Sequence, residues 1–132
     1  MSGERGRLLV IDDEEDIREM LEFVLSSDGF TVVTADGGLA ALEIAEERRF
    51  DVAITDMKMP DMDGLETLAA LKKLDGSLEV IVVTGYASEQ TAAECIKLGA
   101  YAYLRKPFEV ADLLALIERA MAHREDGAAD AR

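Results

Sequence analysis

A chain of 132 residues with 49% apolar side chains is long enough for one packed domain and too apolar to be disordered throughout. Its formal charge of −14 argues against direct binding of nucleic acid, whose phosphates it would repel. No apolar run reaches the roughly 18 residues of a membrane span. Its single cysteine, Cys95, excludes an internal disulfide.

The N-terminus, Met1-Ser2-Gly3-Glu4-Arg5-Gly6, lacks the apolar stretch of a signal peptide and reads as a short extension over 1–6. With the lone cysteine, it gives the expectation of a soluble, cytoplasmic protein. The first strand is predicted over 8–11 and runs into Asp12 and Asp13. A helix follows, with Ile17, Met20, Leu21, Val24 and Leu25 on one stripe and Gly29 as its stop. The second strand, 31–34, is short and more polar, as an edge strand can be. The second helix is predicted over about 38–48, with Leu39, Leu42 and several alanines facing inward.

The third strand, about 51–55, runs into Asp56. A methionine-rich loop follows, and Asp63 with Glu66 forms a capping box that opens the third helix, ended at Asp75-Gly76. The fourth strand, about 79–83, runs into Thr84 and Gly85. Ser88 is a good N-cap for an alanine-rich fourth helix with Ile96 and Leu98, expected to be the least firmly packed, and Gly99 closes it. The fifth strand, about 101–104, leads through Arg105 to Lys106 and Pro107, and Pro107 is expected to start the last helix. That helix has a stripe of Val110, Leu113, Leu114, Ile117 and Met121. Residues 124–132 are expected to be an unstructured tail, leaving one domain over 7–123.

Strand and helix patterns alternate throughout, so the fold class is α/β with a parallel sheet. The strand order 2-1-3-4-5 places the nearly all-apolar third strand centrally and the weak second strand at an edge. Ligand sites in such sheets lie beyond the carboxyl ends of the strands. Asp12, Asp13, Asp56, Thr84 and Lys106 would therefore meet in one crevice. Three carboxylates forced together raise one another's pKa, and a divalent cation with hard oxygen ligands resolves the conflict, which describes a Mg²⁺ site. An acidic pair at a helix N-terminus is also a common solvated cap, and on Asp12 and Asp13 alone the two readings are evenly matched. Asp56 tips the balance, since no helix start explains it. Lys106 would be a fixed ammonium, and Gly85 leaves a ligand room to approach the backbone.

These pieces, V-I-D-D at 10–13, D-x-x-M-P-x-x-D-G at 56–64, V-V-T-G at 82–85 and Y-L-R-K-P-F at 103–108, stand in one order and spacing. Over about residues 7–122 the chain resembles a bacterial response-regulator receiver domain, related to chemotaxis receivers, which implies a flavodoxin-like three-layer (βα)5 sandwich. The resemblance implies that Asp56 accepts a phosphoryl group from a phosphohistidine on a sensor histidine kinase or histidine phosphotransfer protein. It implies Mg²⁺ held by Asp13, Asp56 and the main-chain carbonyl of Lys58, with Asp12 acting through water. It also implies that Lys106 and Thr84 contact phosphoryl oxygens, that the Lys106–Pro107 bond is cis, and that Tyr103 is the switch aromatic. The expected output is binding of a downstream effector, or of a second copy, through the face made by the fourth helix, fifth strand and fifth helix. Such a protein phosphorylates and dephosphorylates itself but is not otherwise an enzyme.

Gly85 and Tyr86 would form the rim of the site, and Tyr86 is expected to shield the phosphoryl group from water. His123 reads as a residue at a helix C-terminus, Cys95 as packing, and the cluster of Met57, Met59 and Met62 as packing rather than ligands. Three rivals differ in chemistry. A flavodoxin-type module would not present Asp12 and Asp13 to a flavin phosphate. A haloacid-dehalogenase-like phosphatase would carry D-x-D after its first strand and a cap domain. A degenerate receiver acting as a phosphorylation-independent interaction module would lack some of the five key side chains, all of which are present.

Overall fold

The computed structural model describes residues 5–85 and 88–130, with side chains described to Arg124. Strands and helices alternate: β1 Arg7–Ile11, α1 Glu15–Ser27, β2 Thr31–Ala35, α2 Gly38–Glu47, β3 Val52–Asp56, α3 Gly64–Leu74, β4 Glu79–Thr84, α4 Glu89–Lys97, β5 Ala102–Arg105 and α5 Val110–Asp130. All strand pairs are parallel and the order is β2-β1-β3-β4-β5. This is the flavodoxin-like sandwich, with the sheet between two helical layers.

Side chains of a strand alternate between faces, and the two cores follow that alternation. Leu8, Val10, Val52, Ile54, Ile81 and Val83 pack on one face against Leu21, Leu25, Leu113 and Ile117 of α1 and α5. Leu9, Ile11, Ala53, Val80 and Val82 pack on the other against Ala41, Leu68, Leu71 and Cys95 of α2, α3 and α4. The central strands are buried on both faces, which is why their sequence reads as continuous apolar runs. Each large side chain buried in this way contributes about 1.5–3 kcal/mol. The sheet can therefore carry unfavourable charge at its carboxyl end.

Local signals fix the element ends. Asp63 accepts the Glu66 N–H at 2.8 Å while Glu66 accepts the Asp63 N–H at 3.0 Å, closing the expected capping box of α3. Ser88 accepts the Thr91 N–H at 3.1 Å at the start of α4. Gly29 (φ 99°) and Gly99 (φ 103°) end α1 and α4 in the left-handed region. Helix α4 buries only the small side chain of Cys95 and leaves Ile96, and Leu98 at its C-cap, exposed, so it is held lightly, as its composition suggested.

Several expectations are corrected. Leu39 is 58% exposed, because α2 lays its small residues, Gly38 and Ala41, against the sheet and α3. Met20 falls at the edge of the α1 stripe and is exposed. Pro107 does not start α5. Glu109 is its cap, its carbonyl accepting the N–H groups of Asp112 and Leu113, so Pro107 and Phe108 belong to the loop. The helix does not stop near His123 but continues to Asp130. Ala, Glu and Arg are strong helix formers, and one glycine costs only about 1 kcal/mol. His123 is therefore not at a helix end. It pairs with buried Glu79, and its ring lies 5.3 Å from that of Tyr101.

Candidate functional site

Successive parallel strands stop at the same end of the sheet, and this places the acidic residues. Asp12 follows β1, with its N–H donating to the Ala35 carbonyl at 3.1 Å. Asp56 ends β3, opposite Val83 of β4. Oxygens of Asp12, Asp13 and Asp56 all lie within 4.8 Å of one another. The Lys106 ammonium lies 3.0 Å from Asp56 Oδ1. It follows β5, where its N–H donates to the Thr84 carbonyl at 2.8 Å. One cleft is lined by Asp13, Asp56, Lys58, Thr84, Gly85 and Lys106, together with Glu14 and Met57. The structure thus brings together Asp12, Asp13, Asp56, Lys58, Thr84, Gly85 and Lys106.

Thr84 is buried at the end of β4. The Lys106–Pro107 peptide is cis. Tyr103 sits apart from the cleft, half-buried on β5 in register with Val82 and packed against the α2–α4 core. Tyr86 lies outside the described residues, and so does its expected shielding role. Met57 is buried and Met59 packs against the same core, in keeping with a packing role for these two methionines. Burial raises the Cys95 thiol, with Glu94 adding to the effect, so the thiolate is disfavoured.

The electrostatics are unfavourable by construction. Burial pushes the Asp12 carboxyl above its ordinary value, the Glu14 N–H opposes this, and the charge of Asp56 adds to it. Burial alone would lower the Lys106 ammonium, but the hydrogen bond and charge of Asp56, with Asp12 and Glu14, raise it. Lys106 is therefore a permanent cation at neutral pH. Buried Asp12 within reach of two further carboxylates, in a cleft lined by hard oxygen donors, fits a divalent cation such as Mg²⁺.

Three positions escaped the sequence. The backbone N–H of Glu14 donates to Asp12 Oδ1 at 2.9 Å, and the Arg18 guanidinium donates to the Asp12 carbonyl at 2.8 Å. Gly64 lies under the Asp56 backbone: a Cβ there would stand 2.7 Å from the Asp56 carbonyl oxygen and 2.8 Å from Met57 Cα. Its N–H donates to the Met57 carbonyl at 2.7 Å. The D-G pair at 63–64 hinted at a tight turn, but its contact with Asp56 is visible only in three dimensions.

The profile of the response regulator receiver domain matches residues 8–118. The chain is 40% identical over 123 residues to the transcriptional regulatory protein ZraR of Klebsiella oxytoca, a match that covers 93% of this chain and 28% of that protein. Among solved structures it is similar to a response regulator receiver domain protein from Clostridium thermocellum (TM-score 0.85, 39% identity, 90% of this chain and 96% of that one). It is equally close to the beryllofluoride-activated NtrC4 receiver domain dimer (TM-score 0.85, 38% identity, 89% and 98%). The chain spans less than a third of the length of the ZraR protein that it matches.

Proposed function

The chain belongs to the response regulator receiver domain family, and from that premise we propose that Asp56 is the phosphoacceptor of a two-component phosphorelay. The observation that carries this reading is the 3.0 Å pair of Asp56 with Lys106 inside a cluster that also holds Asp12 and Asp13. A carboxylate oxygen of Asp56 attacks the phosphorus of a phosphohistidine presented by a sensor histidine kinase or histidine phosphotransfer protein. The N–P bond breaks, its electron pair returns to the donor imidazole, and an acyl phosphate forms on Asp56.

Lys106, already beside Asp56, neutralises charge that develops on the phosphoryl oxygens. The Thr84 hydroxyl donates to another of those oxygens once the group is in place. Asp12, Asp13, Asp56 and the Lys58 carbonyl would hold Mg²⁺, which when bound supplies positive charge to both the carboxylates and the incoming phosphoryl group. The unit that acts is residues 7–123. It has no external substrate to turn over, and its only chemistry is gain and loss of its own phosphoryl group. Adding about two negative charges at Asp56 biases Thr84, Tyr103 and the lightly held α4, and so the α4-β5-α5 face. That face would take an effector, or a second copy as in the NtrC4 receiver dimer. The setting is cytoplasmic; among the described residues no helix is long and apolar enough to cross a membrane.

The test is incubation with acetyl phosphate or phosphoramidate and Mg²⁺, followed by intact mass. The wild-type chain gains one phosphoryl group, and Asp56→Asn or chelation of Mg²⁺ reduces the gain to background. Equal labelling of Asp56→Asn would overturn the assignment.

A further inference from the structure

The loop between β3 and α3 ends on two aspartates, two positions apart, that serve different helices. Asp63 caps its own helix, α3. Asp61 reaches instead to α2, where its carboxylate accepts the N–H groups of Leu39 at 3.0 Å and Gly38 at 3.3 Å, besides that of Met62 at 2.8 Å. Helix α2 has no cap of its own, because Gly37 holds the N-cap position and no acid stands in its first turn. The first N–H groups of a helix need such acceptors.

The approach depends on glycine. A Cβ on Gly37 would stand 2.7 Å from Asp61 Oδ2, and one on Gly38 would stand 2.5 Å from Thr67 Oγ1 and 2.8 Å from Met62 Sδ. The donated hydrogen bonds, that of Leu39 foremost, hold the Asp61 carboxyl below its ordinary value. The loop is thus pinned at both ends. Near Asp56, the Met57 N–H donates to the Val83 carbonyl at 2.9 Å and the Gly64 N–H donates to the Met57 carbonyl. At the far end, Asp61 is seated on α2. Lys58, which lines the cleft, lies between these anchors.

We propose that Asp61 is a positioning residue for the phosphoacceptor site: by tying the β3–α3 loop to the first turn of α2 it fixes the stretch that carries Lys58, and so sets the affinity of the cleft for Mg²⁺. The inference rests on the reading of Lys58 as a main-chain metal ligand. Its rival is a purely structural cap, worth stability and nothing else.

The two separate in a double variant of the full chain. Asp61→Ala removes the three atoms nearest a Cβ at 37, all of the Asp61 carboxylate, so that a serine there can supply a local cap for α2 in place of the loop. Mg²⁺ titration by calorimetry, thermal melting and hydrogen exchange at the Leu39 amide are measured on the wild type, Asp61→Ala and Asp61→Ala/Gly37→Ser. Asp61→Ala should melt lower, lose protection at Leu39 and bind Mg²⁺ about tenfold more weakly, the usual scale for groups that orient a ligand. The double variant should regain melting temperature and protection but not Mg²⁺ affinity. Gly37→Ala gives a second route, since its methyl pushes Asp61 away, and it too should weaken Mg²⁺ binding. Unchanged affinity in Asp61→Ala, or in Gly37→Ala should the former not fold, overturns the proposal, as does a double variant that recovers both properties. A wild-type chain that fails to bind Mg²⁺ or to accept a phosphoryl group sinks the function proposed above instead.

Discussion

At the amino end of the sheet, Asp51 accepts the Arg7 N–H at 2.8 Å and pairs with Arg124 at 3.0 Å, while buried Glu79 pairs with His123. At the carboxyl end, buried Asp12 takes the Glu14 N–H and faces Asp13 and Asp56. The same residue type thus stands at strand termini in both places with opposite consequences. Acids at the amino end are matched by bases and hold α5 to the sheet. Acids at the carboxyl end are buried and crowded, and the carboxyl of Asp12 is raised, by its burial first and by the charges of Asp56 and Asp13 in addition. The difference teaches where the molecule spends stability: charge left uncompensated is what makes a cation or a phosphoryl group welcome.

Substitutions at the two ends should therefore move stability in opposite directions. The largest effect is expected from Asp51→Ala, which strips the Arg7 amide and the half-buried Arg124 guanidinium of their acceptor. A loss of about 2–3 kcal/mol in urea unfolding is expected, and a loss under about 0.5 kcal/mol would break the comparison. Asp12→Asn should do the reverse, stabilising the metal-free protein at pH 7 by on the order of 1 kcal/mol, because it removes a buried charge from among like charges. The pH dependence sharpens this. The Asp12 pKa is raised on folding from 3.8, so the folded chain binds that proton more tightly than the unfolded one. Stability from this group is full below about pH 3.8 and is lost as pH rises through the raised folded value. Melting curves of wild type and Asp12→Asn should converge at the acid end and separate toward neutrality. The smallest effect is expected from His123→Ala, about 0.5 kcal/mol, because the ring that partners Glu79 is 64% exposed and solvent screens the pair.

Most of the carboxyl end was legible in the sequence, and little of the amino end was. Apolar runs that stop on Asp12, Asp56 and Thr84 mark buried parallel strands and their exits, and parallel pairing alone collects those exits on one side. Asp51–Arg124 and Glu79–His123 have no such marker. They join residues far apart in the chain, at strand starts and on a helix that the composition seemed to end at His123. Leu39 was misread because helical periodicity gives a stripe but not the closeness of a neighbour, and α2 turns its small residues to the contact. Asp61 carried no signal in the sequence, because its partners, Gly38 and Leu39, belong to an earlier helix. A cap supplied from another element leaves no local pattern.

The turn at Gly76, between α3 and β4, lies at the end of the sheet away from the cleft, and it divides the chain in a chemically useful way. Asp12, Asp13, Asp56 and Lys58 precede it, while Thr84 and Lys106 follow. A protein cut there would yield two fragments, one bearing the anionic ligands and the other the ammonium and the hydroxyl. Neither fragment could label itself, so regained phosphoryl uptake on mixing would report reassembly of the β3–β4 seam, the basis of a split reporter.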